Sequence, residues 1–285
     1  MLYAIKMRIK HRFIIREDES KEIINFLKSR NLKCKVSKIT SLITVEIYED
    51  DIWWYELKSL MDKYDILSLC ECVYTREEFE RATWIAIRSK WRWEYPQPAN
   101  NFDYKHITYN DSKCCRKCGA GLVQKECFRV RKPPQWGKKN FLMLNWVEDE
   151  VFINNNVELI LKSADLKGLQ FYDVKNAKNN ETIQNMKQIF ISKVLEPGLV
   201  KQNETVLHEI KCNNCSGKKY ILTGKGIVFD RKVMDNISCD IVKSSEAFGD
   251  GNMYAKIILV SKRFYETIKE NNLGNDLVFE PVLLK

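Results

Sequence analysis

Long apolar runs are missing from this chain of 285 residues. No stretch reaches the roughly 18 consecutive apolar residues that a membrane-crossing helix needs. The opening residues Met1 to Arg8 lack the apolar block and small-residue cleavage site of a secretory signal, so the expected compartment is the cytoplasm. Histidine is scarce: His11, His106 and His208 are the whole set, and no two are close in sequence. Glycine (11) and proline (6) are too few for a collagen-like or low-complexity chain. Nucleotide-loop frames are missing too. Gly224-Lys225-Gly226 does not sit in G-x-x-x-x-G-K-[ST]. Phe248-Gly249-Asp250-Gly251-Asn252 has neither a dinucleotide nor a calcium-loop pattern. No nucleophile–base set can be read, and an enzyme is not expected. The acidic run Glu148-Asp149-Glu150 is read as a solvated loop or helix start rather than a metal site.

Cysteine, by contrast, is plentiful. The ten are Cys34, Cys70, Cys72, Cys114, Cys115, Cys118, Cys127, Cys212, Cys215 and Cys239. A reducing compartment argues against a disulfide framework. Two pairs have the C-x-x-C spacing of metal knuckles, Cys115-Arg116-Lys117-Cys118-Gly119 and Cys212-Asn213-Asn214-Cys215-Ser216-Gly217. In such a pair both sulfurs can face one ion, and a following glycine permits the tight turn. Four thiolates make the closed set of a structural zinc site, so Cys115, Cys118, Cys212 and Cys215 are the expected ligands of one Zn²⁺. The pairs are 93 residues apart, so the ion would clamp distant segments; loop-closure cost rises only logarithmically with length. Alternatives stay open. Cys114 could replace Cys115, His208 or the weaker His106 could complete a catalytic zinc site, and either pair could be a redox couple.

Charge is concentrated. Of the net +9, residues 1–100 hold +2 (18 basic, 16 acidic), residues 101–140 hold +7 (10 and 3), and residues 141–285 are neutral (19 and 19). Lys113, Arg116, Lys117, Lys211, Lys218 and Lys219 flank the knuckles and would offset the net −2 of four thiolates on a divalent ion. A second reading is a nucleic-acid surface over 101–140, where Phe102, Tyr104, Tyr109, Phe128 and Trp136 could stack on bases beside the positive charge.

Periodicity gives an α+β fold. A small N-terminal α/β sandwich layer is expected over residues 1–100. Its strands are Leu2–Ile15, Leu42–Tyr48 and Leu67–Tyr74, and its helices Glu17–Arg30 and Asp51–Tyr64. Thr75-Arg76-Glu77-Glu78 is a capping box for a helix running to about Arg88, and Trp91–Pro98 is read as a linker. Residues 101–285 are expected to form a zinc-knuckle-containing, internally duplicated α+β domain with pseudo-repeats at about 110–175 and 207–285. Each repeat would read knuckle, strands, helix, short strand. The helices would be Asn155–Ala164 and Lys262–Glu270. The intervening 176–205 is expected to be an exposed excursion with a helix around Thr182–Ser192.

The two knuckles and the tail Ile258-Leu259-Val260-Ser261…Leu273…Phe279-Glu280-Pro281-Val282 resemble the double-CxxCG immunity proteins of bacteria over roughly residues 110–285. That resemblance implies zinc held by the four knuckle cysteines and protection of the cell by binding a cognate protein toxin. Ser216 stands where the motif has glycine. Residues 1–100 lie outside the resemblance.

Overall fold

The computed structural model describes residues 7–16, 21–37, 39–201, 205–250 and 253–285. The fold is mixed α+β, 22% helix and 37% strand, so sheets set the architecture. Among the described residues no helix is long and apolar enough to cross a membrane. The chain divides into two compact units, residues 1–81 with 223–226, and residues 82–222 with 227–285. The division falls at Arg81/Ala82 rather than near residue 100.

The first unit contains β1 (Arg8–Arg16), α1 (Lys21–Ser29), β2 (Cys34–Val36), β3 (Leu42–Tyr48), α2 (Trp54–Lys63), β4 (Leu69–Val73) and α3 (Arg76–Arg81). Its antiparallel sheet runs β2-β3-β1-β4. Alternation decides the faces: Phe13 and Ile15 of β1 and Ile43, Val45 and Ile47 of β3 point inward. They meet Ile23, Ile24 and Leu27 of α1 and Trp54, Leu57 and Met61 of α2. Residues 2–6 and 17–20 of the expected first strand and helix lie outside the described residues. The capping box forms as expected, Thr75 N–H donating to Glu78 Oε2 at 2.7 Å and Glu78 N–H to Thr75 Oγ1 at 3.3 Å. The helix it opens stops at Arg81, short of Arg88. Ile85, Ala86 and Ile87 are buried and sit in a strand, because sheet neighbours on both sides outweigh local helix propensity.

The second unit begins with that strand, β5 (Trp84–Ser89), followed by β6 (Arg92–Trp93), α4 (Tyr104–Thr108), β7 (Tyr109–Asn110), β8 (Val123–Gln124), β9 (Arg129–Val130), β10 (Phe141–Leu144), β11 (Val151–Ile153), α5 (Asn155–Ser163) and β12 (Gln170–Asn176). It continues with β13 (Thr182–Phe190), β14 (Val206–Lys211), β15 (Lys218–Leu222), β16 (Ile227–Phe229), α6 (Arg231–Asp235), β17 (Ile241–Phe248), β18 (Ala255–Ser261), α7 (Lys262–Glu270) and β19 (Leu277–Leu284). One sheet has the order β6-β10-β11-β13-β12-β9, the other β14-β15-β17-β18-β5-β19-β16. Read from β6 and from β15, the two sheets share one sequence of neighbours: parallel, antiparallel, antiparallel, antiparallel, parallel. The third strand after that start is β13 in one sheet and β5 in the other.

Both sheets are buried on both faces. Ile85 and Ile87, Phe141 and Met143, Ile258 and Val260 point into a shared core with Val157 and Leu161 of α5 and Phe264 and Ile268 of α7. The alternate residues feed separate outer cores, Leu142 and Leu144 one, Trp84, Ala86 and Leu259 the other. Both helices start straight from a strand with a side-chain cap. Asn154 Oδ1 accepts from Val157 N–H and Ser261 Oγ from Phe264 N–H.

The helix expected at Thr182–Ser192 is the strand β13. Its apolar residues Ile183, Met186 and Ile189 are spaced by three, which imitates a helix. The register shows why: pairing jumps from Asp173↔Lys187 to Lys175↔Thr182, so several residues of β13 bulge opposite Val174 and shift the alternation. Residues 182–190 of the expected excursion therefore lie within a sheet, while 177–181 form an exposed turn. Trp91 and Trp93, read as linker, pack on the outer core of the first sheet with Trp136.

Candidate metal centre

Each knuckle closes the end of an antiparallel pair. Cys114–Gly119 lies between β7 and β8, and Cys212–Gly217 between β14 and β15. The backbones match. Cys115 N–H donates to Ala120 O at 2.8 Å, as Cys212 N–H does to Gly217 O at 2.8 Å. Gly119 N–H donates to Cys115 O at 2.7 Å, as Ser216 N–H does to Cys212 O at 2.9 Å. These bonds need a left-handed residue after the second cysteine, and both comply, with φ +81° at Gly119 and +57° at Ser216. Ser216 thus has the backbone conformation that Gly119 has in the first knuckle. Gly121, at φ +87°, would put any Cβ 2.8 Å from Lys113 O.

The turns bring four sulfurs together. Cys115 Sγ lies 3.8 Å from Cys212 Sγ, and Cys118 Sγ 3.6 Å from Cys215 Sγ; all four lie within 4.8 Å of one another. A tetrahedral ion with metal–sulfur bonds of about 2.3 Å needs sulfurs about 3.8 Å apart. The geometry therefore fits a four-thiolate metal site, joining positions 97 residues apart in sequence. Cys115, Cys118 and Cys212 are buried and Cys215 is exposed, with Ala120 and Tyr254 packed alongside. Cys114, His208 and His106 are not in the group. Cys114 is half-buried, His208 is exposed on β14, and His106 pairs with Asp111.

Left to themselves, the four thiols do not ionise together. Asn214 Nδ2, donating to Cys115 Sγ at 3.3 Å, and the Cys118 N–H pull the Cys115 thiol down to about 6. The N–H groups of Asn214 and Cys215 lower Cys212. Burial pushes Cys118 up to about 12. Cys215 is raised: the Gly217 N–H lowers it, but desolvation and the sulfurs of Cys115 and Cys212 outweigh that. Two thiolates side by side resist a third and fourth, and a cation among them removes the obstacle. Of the flanking cations, Lys113, Arg116, Lys117, Lys211 and Lys218 are exposed. Lys219 is buried and donates to Met253 O at 3.0 Å.

The aromatics of the basic segment are mostly not surface groups. Tyr104, Phe128 and Trp136 are buried, Tyr109 is half-buried, and only Phe102 is exposed. Glu150, expected in a solvated run, is also buried. It pairs with Lys243 at 2.5 Å and accepts from Gln188 at 2.9 Å.

One constellation has no signature along the sequence. His11 Nδ1 lies 2.9 Å from Ser68 Oγ and His11 Nε2 2.8 Å from Glu49 Oε1. The imidazole stacks on Trp54 at 4.1 Å, and Lys225 Nζ shares the Glu49 oxygen at 2.8 Å. A carboxylate already neutralised by lysine and a ring held against tryptophan make this a clamp within the first unit. His11, Glu49 and Ser68 lie on or beside β1, β3 and β4, so the register of that sheet rather than any local motif brings them together.

Comparison with protein-family models, with curated proteins and with solved structures returns no match.

Proposed function

We propose that this chain is a zinc-clamped binding protein that neutralises a cognate protein toxin by occupying it, as its resemblance to the double-CxxCG immunity proteins implies. The observation that supports this reading is the meeting of both knuckles in one four-sulfur group. Zinc is the ion of choice for a closed, all-thiolate, tetrahedral set, and it brings no redox chemistry. A filled set leaves no position for water or substrate, so its role would be structural. The matching neighbour patterns of the two sheets support an internal duplication in which each repeat contributes one knuckle. On this reading the leading strands β5 and β13 are exchanged, each completing the other repeat's sheet. The first unit would be the α/β layer appended to this pair. The working compartment would be the cytoplasm, where thiolates stay reduced.

The test is co-expression with the toxin encoded by a neighbouring gene, followed by co-purification, cell survival and elemental analysis. Survival together with a zinc-containing complex is expected. A toxin that neither binds nor is neutralised removes the reading. The nucleic-acid reading keeps support from the exposed Lys113, Arg116 and Lys117. Salt-dependent retention of single-stranded RNA or DNA in the absence of any toxin complex would favour it.

A further inference from the structure

A cavity of about 650 Å³ opens beside the first knuckle, within the range of small-molecule sites. Its walls differ sharply in chemistry. One is aromatic: Trp146 lies 4.4 Å from Phe102 and 6.4 Å from the buried Tyr104, ring to ring. Phe102 and Trp146 are large apolar groups, yet they remain 41% and 44% exposed. Both also sit at positive φ, +61° and +67°, a conformation that bulky residues adopt only at a steric cost. Trp146 also packs on Tyr95, 4.4 Å away ring to ring, and the cluster still leaves both rings partly open to the cavity. The other wall is cationic, with Lys105, Arg116 and Lys117. Its two carboxylates are already engaged, Asp111 with His106 and Glu148 with Arg92. Even with Arg116 and Lys117 set against the charge of the sulfur cluster, Lys105 remains. Its ammonium is half-buried over the Phe102 ring at 5.3 Å. Among the described residues no carboxylate lies within ion-pair distance of it.

We propose that this cavity binds a nucleobase carrying a phosphate, the base against Phe102 and Trp146 and the phosphate toward Lys105 and the Arg116-Lys117 pair. Flat rings offer a sequence-tolerant stacking surface for a base. The partly desolvated Lys105 supplies the charge-assisted contact to phosphate. Burial lowers its pKa, so an arriving anion relieves an existing penalty. The ligand chemistry has two sources, a free nucleotide or the end of a single strand. The proposal does not rest on the immunity reading, which is tested by toxin binding rather than by nucleotide titration.

Isothermal titration of the full, zinc-loaded chain with GMP, AMP, UMP, a tetranucleotide and inorganic phosphate tests this. Saturable binding is expected for at least one nucleotide or for the tetranucleotide, weakened tenfold or more by Phe102→Ala and by Lys105→Gln. Zinc content and melting temperature should be unchanged in both variants. Equal affinity for mononucleotide and tetranucleotide identifies the free nucleotide as ligand. Much tighter tetranucleotide binding identifies the strand end. The proposal is overturned if nothing saturates at millimolar concentration, if inorganic phosphate binds as tightly as the nucleotides, or if both variants bind like the parent.

Discussion

Ser216 holds in the second knuckle the left-handed position that Gly119 holds in the first, and each donates its N–H to the carbonyl of its knuckle's leading cysteine. The serine does so with a Cβ, at a steric cost of roughly 1–2 kcal/mol. Ser216→Gly is therefore expected to stabilise the second unit by about 1 kcal/mol, allowing for the greater freedom of glycine in the unfolded chain. Gly119→Ala should destabilise it by a similar amount. Its Cβ would meet Tyr254 Cβ at 3.6 Å and Leu122 Cδ1 at 4.0 Å, both ordinary contacts, so the loss would come from the backbone. Urea unfolding of the three proteins side by side measures both.

Removing a ligand should unfasten the clamp. A cross-link over about 100 residues is worth about 4–5 kcal/mol in the chain-entropy account, and metal-binding free energy is folding free energy where the site forms only on folding. Cys115→Ser and Cys212→Ser are each expected to lose the metal and melt well below the parent. Cys34→Ser, at an exposed position in β2, should keep full metal content. Elemental analysis with calorimetry distinguishes these outcomes. Chelation should likewise raise the number of thiols that react with a disulfide reagent by four, the number in the sulfur group.

Lys243 ties the two sheets of the second unit together. From β17 its Nζ reaches Glu150 at 2.5 Å and Asp149 at 3.6 Å, beside β11. Burial pulls its pKa down, and the two carboxylates outweigh that and keep it charged. Lys243→Met leaves a buried carboxylate alone and is expected to cost about 3–5 kcal/mol, whereas the double change Lys243→Met with Glu150→Leu should recover most of the loss. Equal destabilisation in the single and double variants would show that the pair is not what holds this contact.

The first unit should respond to acid through Glu49. Burial raises its carboxyl, but hydrogen bonds from Lys225 and His11 outweigh burial and set it below the usual 4.5. A depressed carboxylate stabilises the fold above its unfolded pKa, and that contribution is lost as pH falls through the folded value. Acid unfolding of this unit is thus expected below pH 4.5. Lys225→Met should move the midpoint upward, read by tryptophan fluorescence during an acid titration. An unmoved midpoint would mean that Lys225 contributes nothing to this carboxylate.

Local patterns were legible in the sequence and long-range ones were not. The alternation of Leu42–Tyr48 and the stripe of Lys262–Glu270 correspond to β3 and α7 residue for residue, because each pattern is complete within its own segment. The four cysteines of the sulfur group were legible because knuckle spacing is a property of a few adjacent residues. β13 was misread because its bulge gives Ile183, Met186 and Ile189 a helical spacing. β5 was misread because no glycine or proline separates it from the capped helix before it. Glu150 looked solvated because its partner Lys243 is 93 positions away.

The placement of β5 and β13 has a consequence for the life history of the chain. β5 is among the first strands of the second unit to be made, yet its hydrogen-bonding partners β18 and β19 are the last. Nearly two hundred residues must leave the ribosome before that strand, apolar on both faces, can be covered. Until then it is an open template for pairing with other chains. A nascent molecule is sticky until β18 and β19 emerge, and deleting β19 should return it to that condition.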